Sequence, residues 1–374
     1  MELYILNSSL ELQGVIDKFG TLIWTRRFRE PGAFQLNLPA TQENITLIKD
    51  ENLIYRTDDV EAGVIQHIDY KISEKGVKTL EVKGYLTTGY LSRRINWSTI
   101  NFNGTVENFM RKLVNDNCIN PINSNRIIPL LYLGTLNNYT EKISKQDSYS
   151  TITDILTKIA DTSKLGYRIS LDYLNKKLKF EVLRGTDRTI NQNVIAPTIF
   201  STEMENIIDE EYLRDSGDFK NVALIAGAGE GSARKKTTIN NNSVSGLSRL
   251  ELFVDANDIQ DTEQQEVTDD EGNTTTEDVE IPWSEYEPLL LQRGNEKLAE
   301  CEKVETFEAT INTNSNNVYK KDFDLGDKVT IYDRDLNIYI NTDITEIEET
   351  YEKQKIQIVP TFGNKIPNIM KGRR

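Results

Sequence analysis

Short runs of β-branched residues alternate with polar ones towards the end of the chain, in residues 322–363. The apolar positions are Val329 and Ile331, Ile338 and Ile340, Ile344 and Ile347, and Ile356 and Ile358. Alternation of this kind is typical of half-buried antiparallel strands. Turn-forming or charged residues separate the runs, so neighbouring strands can pair as hairpins. The pattern therefore predicts four short strands that close into a small barrel.

An earlier stretch, residues 52–85, has the same pattern of strand, polar loop, long strand, charged turn, strand and glycine. Gly84 stands where the later stretch has Gly363. We therefore predict a duplicated barrel. In this duplication Ile65–Ile72 aligns with Ile340–Ile347, and Leu80-Val82 aligns with Ile356-Ile358, because a slip of one residue would turn every apolar side chain outward.

The hydrophobic period changes to that of helices in the middle of the chain. Apolar residues recur at helical spacing from Val106 to Val114 and again from Ile152 to Ala160, which predicts two amphipathic helices. The second is expected to end at Leu165-Gly166, with the glycine in the left-handed conformation. Alternating positions over 167–171 and 178–182 then predict a hairpin.

Together these patterns predict a mainly β fold with α+β insertions, in which two similar antiparallel β-barrel domains are linked by a small helix-plus-hairpin domain. The N-terminal barrel is assigned to residues 1–97, the middle domain to 98–200 and the C-terminal barrel to 201–374. The last also contains a helix from Trp283. Residues 255–281 are rich in Asp, Glu, Thr and Gln and are predicted to form an acidic, mobile insertion.

Composition narrows the classes of function. The 374 residues carry a formal charge of −15, whereas sequence-independent binding of nucleic acid requires clustered Lys and Arg. No apolar run approaches the roughly 18 residues of a membrane span. The N-terminal residues do not have the pattern of a signal peptide, so synthesis in the cytoplasm is expected.

Little in the chain favours catalysis, a cofactor or a metal ion. The single histidine, His67, lies in a predicted strand, and Cys118 and Cys301 are expected to be free thiols. Gly227, Gly229 and Gly231 follow a strand, but no helical period follows them, so a hairpin end is favoured over a phosphate-binding loop. The acidic insertion does not match the spacing of a calcium-binding loop.

Several short motifs, in their order along the chain, resemble the tail-hub (baseplate hub) proteins of long-tailed bacteriophages and of phage-tail-like bacteriocins. The resemblance covers residues 20–365. The motif residues that we take as structural or inter-subunit candidates are Trp24, Arg26, Arg27, Phe34, Arg93, Arg94, Gly326, Asp327 and Phe362.

The resemblance implies a homotrimeric ring in the virion, at the tail tip or baseplate, in which two barrels per subunit give pseudo-sixfold symmetry. Such a ring adapts a hexameric tail tube or distal tail protein above to a trimeric spike, puncturing or fibre protein below. It also implies contact with a tape-measure protein and passage of DNA without specific binding. No enzymatic activity and no cofactor are expected.

Two other classes of function remain open at this point. A tail-associated cell-wall hydrolase would need two carboxylates facing across a cleft, and the 59 acidic residues make any spacing argument uninformative. A cell-surface glycan-binding module would expose aromatic side chains, which the 16 tyrosines could supply.

Overall fold

The computed structural model describes residues 1–240, 243–268, 274–352 and 355–363. Strands account for 43% of the chain and helices for 19%, which confirms a mainly β fold. We describe the chain as a first half, a middle unit and a second half.

The first half contains a hairpin whose turn includes Pro31 and Gly32. Its strands pair antiparallel, with Trp24 opposite Phe34 and Leu22 opposite Leu36. The elements are β1 Leu3–Leu6, β2 Leu12–Ile16, β3 Thr21–Arg27, β4 Ala33–Pro39, α1 Gln42–Leu47, β5 Leu53–Tyr55, β6 Ala62–Val64, β7 His67–Ile72 and β8 Lys78–Tyr85, followed by a 3-10 turn at Thr87–Arg93.

The middle unit contains both predicted helices and the predicted hairpin. Thr105 and Thr151 cap the helices by accepting hydrogen bonds from the backbone N–H groups of Asn108 and Asp154. The elements are β9 Ile100–Thr105, α2 Val106–Val114, a π turn at Asn115–Ile119, a 3-10 turn at Ser124–Arg126, β10 Leu131–Leu133, β11 Lys142–Asp147, α3 Ile152–Ser163, β12 Gly166–Asp172 and β13 Lys177–Leu183.

The expected glycine end of α3 is wrong in one detail. The left-handed residue is Lys164, with φ 60°, and not Gly166. Gly166 is required for another reason, because a Cβ atom there would lie 2.6 Å from the ring of Phe28 and 2.7 Å from its carbonyl oxygen. This close approach brings β12 against the first half.

The second half contains the four predicted strands, of which the two in the middle form one continuous strand. The elements are β14 Ile199–Phe200, β15 Ile207–Asp215, β16 Val222–Ala226, β17 Lys236–Asn240, β18 Glu251–Asp255, β19 Thr262–Thr268, β20 Thr274–Glu280, α4 Trp283–Ala299, β21 Val304–Ile311, β22 Lys328–Asp333, β23 Ile338–Glu352 and β24 Lys355–Gly363, with 3-10 turns at Gly231–Ala233 and Gly246–Ser248. The glycines after β16 lie at the end of a β16–β17 hairpin, as predicted.

One sheet joins the two halves. Its strands follow the order β15-β21-β24-β23-β3-β4-β8-β7. The halves meet where β23 pairs antiparallel with β3, from Glu346 opposite Arg27 to Glu352 opposite Thr21. Because β3 pairs there, it does not pair back with β1, and the strand pairings of the described residues form no closed barrel. The two-barrel arrangement is therefore not confirmed.

The two halves nevertheless arrange their strands in the same order. In the first half the neighbours run β1-β5-β6/β7-β8-β4-β3, and in the second they run β14-β22-β23-β24-β21-β15. With β2 and the inserted strands β16 to β20 left out, and with β6 and β7 counted as one strand, both orders numbered along the chain are 1-4-5-6-3-2. They differ in that β14 is parallel to β22, whereas β1 is antiparallel to β5.

Backbone hydrogen bonds fix the register between the halves. In the first half, the N–H of Glu51 donates to the carbonyl oxygen of Ile65, and the N–H of Ile65 donates to that of Asn52. In the second half, the N–H of Gly326 donates to the carbonyl oxygen of Ile344, and the N–H of Ile344 donates to that of Asp327. Glu51 and Gly326 also share a left-handed conformation, with φ 66° and 90°. Ile65 therefore corresponds to Ile344.

The sequence prediction placed this register incorrectly. With Ile65 at Ile344, the pairings put His67 at Glu346, Gly84 at Phe362 and Leu80 at Ile358. The predicted match of Gly84 with Gly363 is therefore wrong by one residue. The predicted alignment is displaced by four residues in the long strand and by two in the last one. Both displacements are even, so the inward faces were correct, although Ile356, which the prediction buried, is exposed.

The acidic insertion also differs from its prediction. Part of it is a hairpin, in which β19 pairs with β20, because Thr and Val favour strands even in a polar segment. Its flanks are anchored, since Ala256, Ile259 and Ile281 are buried in a core with Tyr286. Residues 269–273 lie outside the described residues.

Candidate functional site at the junction of the two halves

The junction between β3 and β23 buries a polar cluster. Alternation along β23 places Ile347, Glu349 and Tyr351 on one face, and Glu349 lies opposite Trp24 of β3. The Glu349 side chain is fully buried. A buried carboxylate requires charged or hydrogen-bonding partners, so its surroundings define the junction.

Arg56, in the loop after β5, is the main partner of Glu349. Its side chain is also fully buried, and its Nη2 atom donates to Glu349 Oε2 at 2.6 Å and to the Tyr351 hydroxyl at 2.7 Å. The guanidinium carbon lies 5.2 Å from the Trp24 ring centre and 4.7 Å from that of Tyr351. Arg56 is therefore held between one aromatic ring from each half.

The electrostatics agree with a charged pair. Burial disfavours the ionised form of Glu349, but the charges of Arg56 and Lys320 together with hydrogen bonds from Tyr351 and Arg56 outweigh burial and hold the pKa of Glu349 below its usual value. Burial likewise opposes the charge of Arg56, yet hydrogen bonding to Asp58 and the Glu349 charge raise its pKa. Both groups are ionised at neutral pH, and each neutralises the other.

Arg26 extends the cluster towards the second half. Its Nη1 atom donates to the Tyr319 hydroxyl and to Asp324 Oδ1, both at 2.7 Å. Its Nε atom lies 3.5 Å from Asp59, which also accepts a 2.9 Å hydrogen bond from the Trp24 indole. Tyr319 in turn donates to Glu349 at 2.8 Å. Arg26 and Arg56 are therefore linked through one tyrosine and one carboxylate.

Two further arginines bind the outer part of the junction. Arg27 Nε lies 2.6 Å from Glu346, and Arg29 Nη2 lies 2.5 Å from Asp343. All four arginines of the junction thus belong to the first half, and three of them bind carboxylates on β23. In these three pairs the cation comes from the first half and the carboxylate from β23.

The predicted candidates Gly326 and Asp327 lie beside this cluster. A Cβ atom on Gly326 would lie 2.3 Å from the Phe28 ring. Asp327 accepts hydrogen bonds from the N–H groups of Thr186 and Asp324 and pairs with Arg188 at 2.8 Å. This pair therefore ties the loop before β22 to the end of the middle unit.

Of the remaining candidates, Phe34 contacts the buried cluster, whereas Phe362, Arg93 and Arg94 lie elsewhere in the described part of the chain. Phe34 packs on Trp24 with ring centres 5.8 Å apart. Phe362 lies in the second-half core, 5.0 Å from Phe200. Arg93 pairs with Glu51, and Arg94 donates to the carbonyl of Arg126. Arg94 therefore ties the first half to the middle unit, whereas the Arg93–Glu51 pair lies within the first half.

Sequence reasoning missed Arg56, Asp59, Tyr319 and Glu349. A signal was present for two of them. Arg56 directly follows the apolar run Leu53 to Tyr55, and Glu349 stands in the inward register of Ile347 and Tyr351. A charged residue at an inward position of a strand requires a buried partner. Which partner it has depends on the β3–β23 pairing, which the pattern of one strand does not specify.

The cluster is suited to holding two surfaces together, because its carboxylates are bound by arginines or tyrosines. Within the described ranges, no group of three or more His, Cys, Asp or Glu side chains is arranged to hold a metal ion. No helix of the described chain is long and apolar enough to cross a membrane.

Three solved structures of tail proteins have a similar fold. The structure matches the tail protein from Neisseria meningitidis MC58 (TM-score 0.57, 13% identity, 97% of this chain and 96% of that one). It also matches the 43 kDa tail protein of prophage MuSo2 from Shewanella oneidensis (0.57, 13%, 97% and 98%) and the prophage tail protein gp18 from Listeria monocytogenes EGD-e (0.55, 10%, 99% and 97%). At these identities the likeness concerns the fold.

The sequence comparison gives the family. No curated protein matches the chain at a significant level. The family model described as Siphovirus ReqiPepy6 Gp37-like protein matches residues 2–364, nearly the whole chain. The chain therefore belongs to the family of Siphovirus ReqiPepy6 Gp37-like proteins.

Proposed function

We propose that this protein is a structural hub at the distal end of a phage tail or tail-like particle. Three copies form a ring of six similar modules, which joins a hexameric tail tube or distal tail protein to a trimeric spike or fibre protein. The family and the tail-protein fold support a structural role in the tail. In this proposal the protein is part of the virion tip or baseplate and has no catalytic role.

The observation that carries the proposal is the repeated strand order of the two halves. A sixfold part and a threefold part have mismatched symmetry, and a chain with two similar surfaces can contact both. Three chains with two similar halves supply six modules. The duplication was predicted from sequence pattern, and the shared 1-4-5-6-3-2 order supports it independently of the resemblance.

The junction supports a rigid ring. The two halves are joined edge to edge by seven pairs of residues between β3 and β23. The buried Arg56–Glu349 pair lies across this join, and a misaligned buried ion pair is strongly unfavourable. The angle between successive modules is therefore fixed within each chain, as a closed ring requires.

The charge of the chain fits a DNA conduit. Each copy carries −15, so three copies carry −45. A negative lumen repels the phosphate backbone and lets DNA slide without binding.

The test is to count and locate the protein in the particle. A cryo-electron microscopy map of the tail should show three copies in one layer, between sixfold and threefold components. Quantitative mass spectrometry should give one copy for every two subunits of one ring of the tube. Six copies or two copies in that layer would exclude the symmetry adaptor. Release of fragments from purified cell walls by the protein would instead favour the hydrolase alternative.

A further inference from the structure

The sheet that joins the halves ends in two strands whose outer edges have no strand partner among the described residues. These are β7 at one end and β15 at the other. Exposed edges of this kind are avoided in monomers because they pair with other chains. In the comparison of the two halves, β7 corresponds to β23 and β15 corresponds to β3. The two free edges are therefore the counterparts of the two strands that pair at the junction within the chain.

The correspondence exposes a difference in burial. Ile68, Tyr70 and Ile72 form one row on β7 and are 37%, 45% and 57% exposed. Their counterparts on β23 are Ile347, Glu349 and Tyr351, of which the first two are completely buried under the first half. The row on the free edge of β7 is therefore exposed, whereas the corresponding row on β23 is covered by the first half.

We propose that β15 of one copy pairs antiparallel with β7 of a second copy, in the register in which β3 pairs with β23 within the chain. This inference rests on the proposed ring. The within-chain pairs Arg27–Glu346, Trp24–Glu349 and Ile23–Thr350 then become Asp215–His67, Tyr212–Tyr70 and Glu211–Lys71 between copies.

The side chains suit this register. It places Glu211 opposite Lys71 and Tyr212 opposite Tyr70, and both opposite charges and aromatic pairs stabilise facing strands. A shift of the register by two residues in one direction would place Glu211 opposite Asp69. A shift by two residues in the other direction would place Asp215 opposite Asp69. Like charges that face each other destabilise a strand pair. A slip of one residue would turn the apolar row of β7 to the wrong face.

The same pairing closes a ring. The contact is heterologous, because each copy uses β15 on one side and β7 on the other, and such contacts form closed rings when the rotation closes. The path from β15 to β7 contains eight strands. Three copies therefore form one continuous sheet of 24 strands, in which within-chain and between-chain junctions alternate.

Cysteine trapping in the full-length chain tests the register. Facing residues of antiparallel strands have Cα atoms about 4.5 to 5.5 Å apart, within the range of about 4.4 to 6.8 Å that a disulfide spans. The test variant is Lys71→Cys with Glu211→Cys, in a Cys301→Ser background because Cys301 is partly accessible. A matched variant, Lys71→Cys with Leu213→Cys, is displaced by one strand repeat, about 7 Å.

A positive control comes from the chain itself. Ile23→Cys with Thr350→Cys places cysteines at the within-chain counterpart of the test pair, so it should form an internal disulfide and remain monomeric on a non-reducing gel. Under mild oxidation the test variant should form covalent dimers and trimers in proportion to protein concentration. Each single variant and the displaced variant should form at least about tenfold less, since they lack a facing partner.

The outcomes separate this proposal from the proposed function. Equal cross-linking of the test and displaced variants would contradict the register. A trimer by sedimentation without cross-links would overturn the edge pairing and leave the ring. A chain that stays monomeric at high concentration and forms no covalent dimer contradicts the pairing. Cross-linked copies in a particle with other than three copies per layer would retain the pairing and exclude the hub.

A second measurement does not depend on cysteine chemistry. Tyr70→Lys with Ile72→Lys replaces two exposed side chains of the row, so the monomer should fold unchanged. Its self-association, measured by sedimentation, should weaken at least about tenfold, the equivalent of 1.4 kcal/mol. Ile45→Lys changes a residue of similar exposure on α1 and should leave association unchanged. Equal association of both variants would overturn the proposal.

Discussion

The two halves of this protein share a strand order but differ at their edges. In the first half β3 is covered by β23, and Trp24 is completely buried; in the second half the counterpart of Trp24 is Tyr212, on a free edge. The interior positions differ much less, since Leu80, Phe34 and Leu38 correspond to Ile358, Phe307 and Ile311, all buried. The interior positions of the two halves are thus apolar and buried in both, whereas the residues on the edge strands differ because the two edges have different contacts.

The largest effect is expected in the shared core. Ile358→Asp buries an unpaired carboxylate and should cost about 4 kcal/mol or more, which unfolds the second half and prevents particle assembly. Leu80→Asp should cost about as much in the first half, because Leu80 occupies the corresponding position. Urea denaturation followed by hydrogen exchange in each half measures both losses.

The matched controls for this comparison change a neighbouring residue on the opposite face. Gln357→Asp and Thr79→Asp should each change the free energy of unfolding by less than about 1 kcal/mol. If the Leu80→Asp variant folds normally while the Ile358→Asp variant is unfolded, the two positions are not equivalent.

The junction gives the next effect. Arg56→Ala leaves Glu349 buried without its guanidinium partner and should lower the free energy of unfolding by about 3 to 5 kcal/mol. Adding Glu349→Gln should recover part of this loss, since the unpaired charge is then removed. Arg93→Ala breaks a partly exposed pair with Glu51 and should cost less than about 1 kcal/mol. Equal losses in the two single variants would mean that the buried pair has no special role.

A buried carboxyl makes the stability of the first half depend on pH, and the second half has an isoleucine in its place. Glu61, at the position of Ile340 in the second half, accepts a 2.5 Å hydrogen bond from the Thr88 hydroxyl, and burial raises its pKa to about 7. Because the folded pKa lies above the unfolded one, the stability it gives is full below about pH 4.5 and is lost as pH rises through 7. Glu61→Gln should stabilise the protein by about 3 kcal/mol at pH 8 and leave it unchanged at pH 4.

Glu81 provides the control of opposite sign. Hydrogen bonds from Lys71 and Lys83 lower its pKa to about 2, so Glu81→Gln should slightly destabilise the protein at pH 8. Thermal unfolding at several pH values compares the two variants. A Glu61→Gln effect that does not vary with pH would show that the pKa of Glu61 is the same in the folded and unfolded states.

The smallest effect is expected in the insertion that only the second half has between its counterparts of β3 and β4. Ile281 N–H donates to the Asp261 carbonyl, so residues 262–280 can be replaced by an Asn-Gly turn. The free energy of unfolding should change by less than about 1 kcal/mol, because the segment is polar and its ion pair from Glu280 to Lys235 is partly exposed. Ile259→Ala, in the anchored flank, should cost about 2 to 4 kcal/mol. A larger loss from the loop replacement would show that the hairpin supports the core.

The sequence predicted the elements whose period is set by a local surface. Helices α2 and α3 followed from their apolar faces, and β22 to β24 from alternation, because each element buries one side of itself. The same alternation also predicted which face of β24 points inward, since Ile358 is buried and Gln357 is not.

The sequence did not predict which strands become neighbours. Alternation marks a face but not an edge, so the pairing of β3 with β23 and the contact of Arg56 with Glu349 were missed. The insertion was misread for a related reason. Polar strands such as β19 and β20 lack an apolar face, and Ile259 and Ile281 are isolated apolar residues whose burial depends on Tyr286, in α4.

The β3–β23 junction also has a consequence for the order of folding. Its strands are separated by more than 300 residues, and at about 5 to 20 residues per second a ribosome needs about 15 to 60 s to make that segment. During this time the first half can fold with the β3 edge open, and Arg56 has no Glu349 to bind. Contacts so distant in sequence form slowly. The completed junction is therefore a late event. The same second half that completes it also supplies the β15 edge, so that ring assembly follows the folding of each chain.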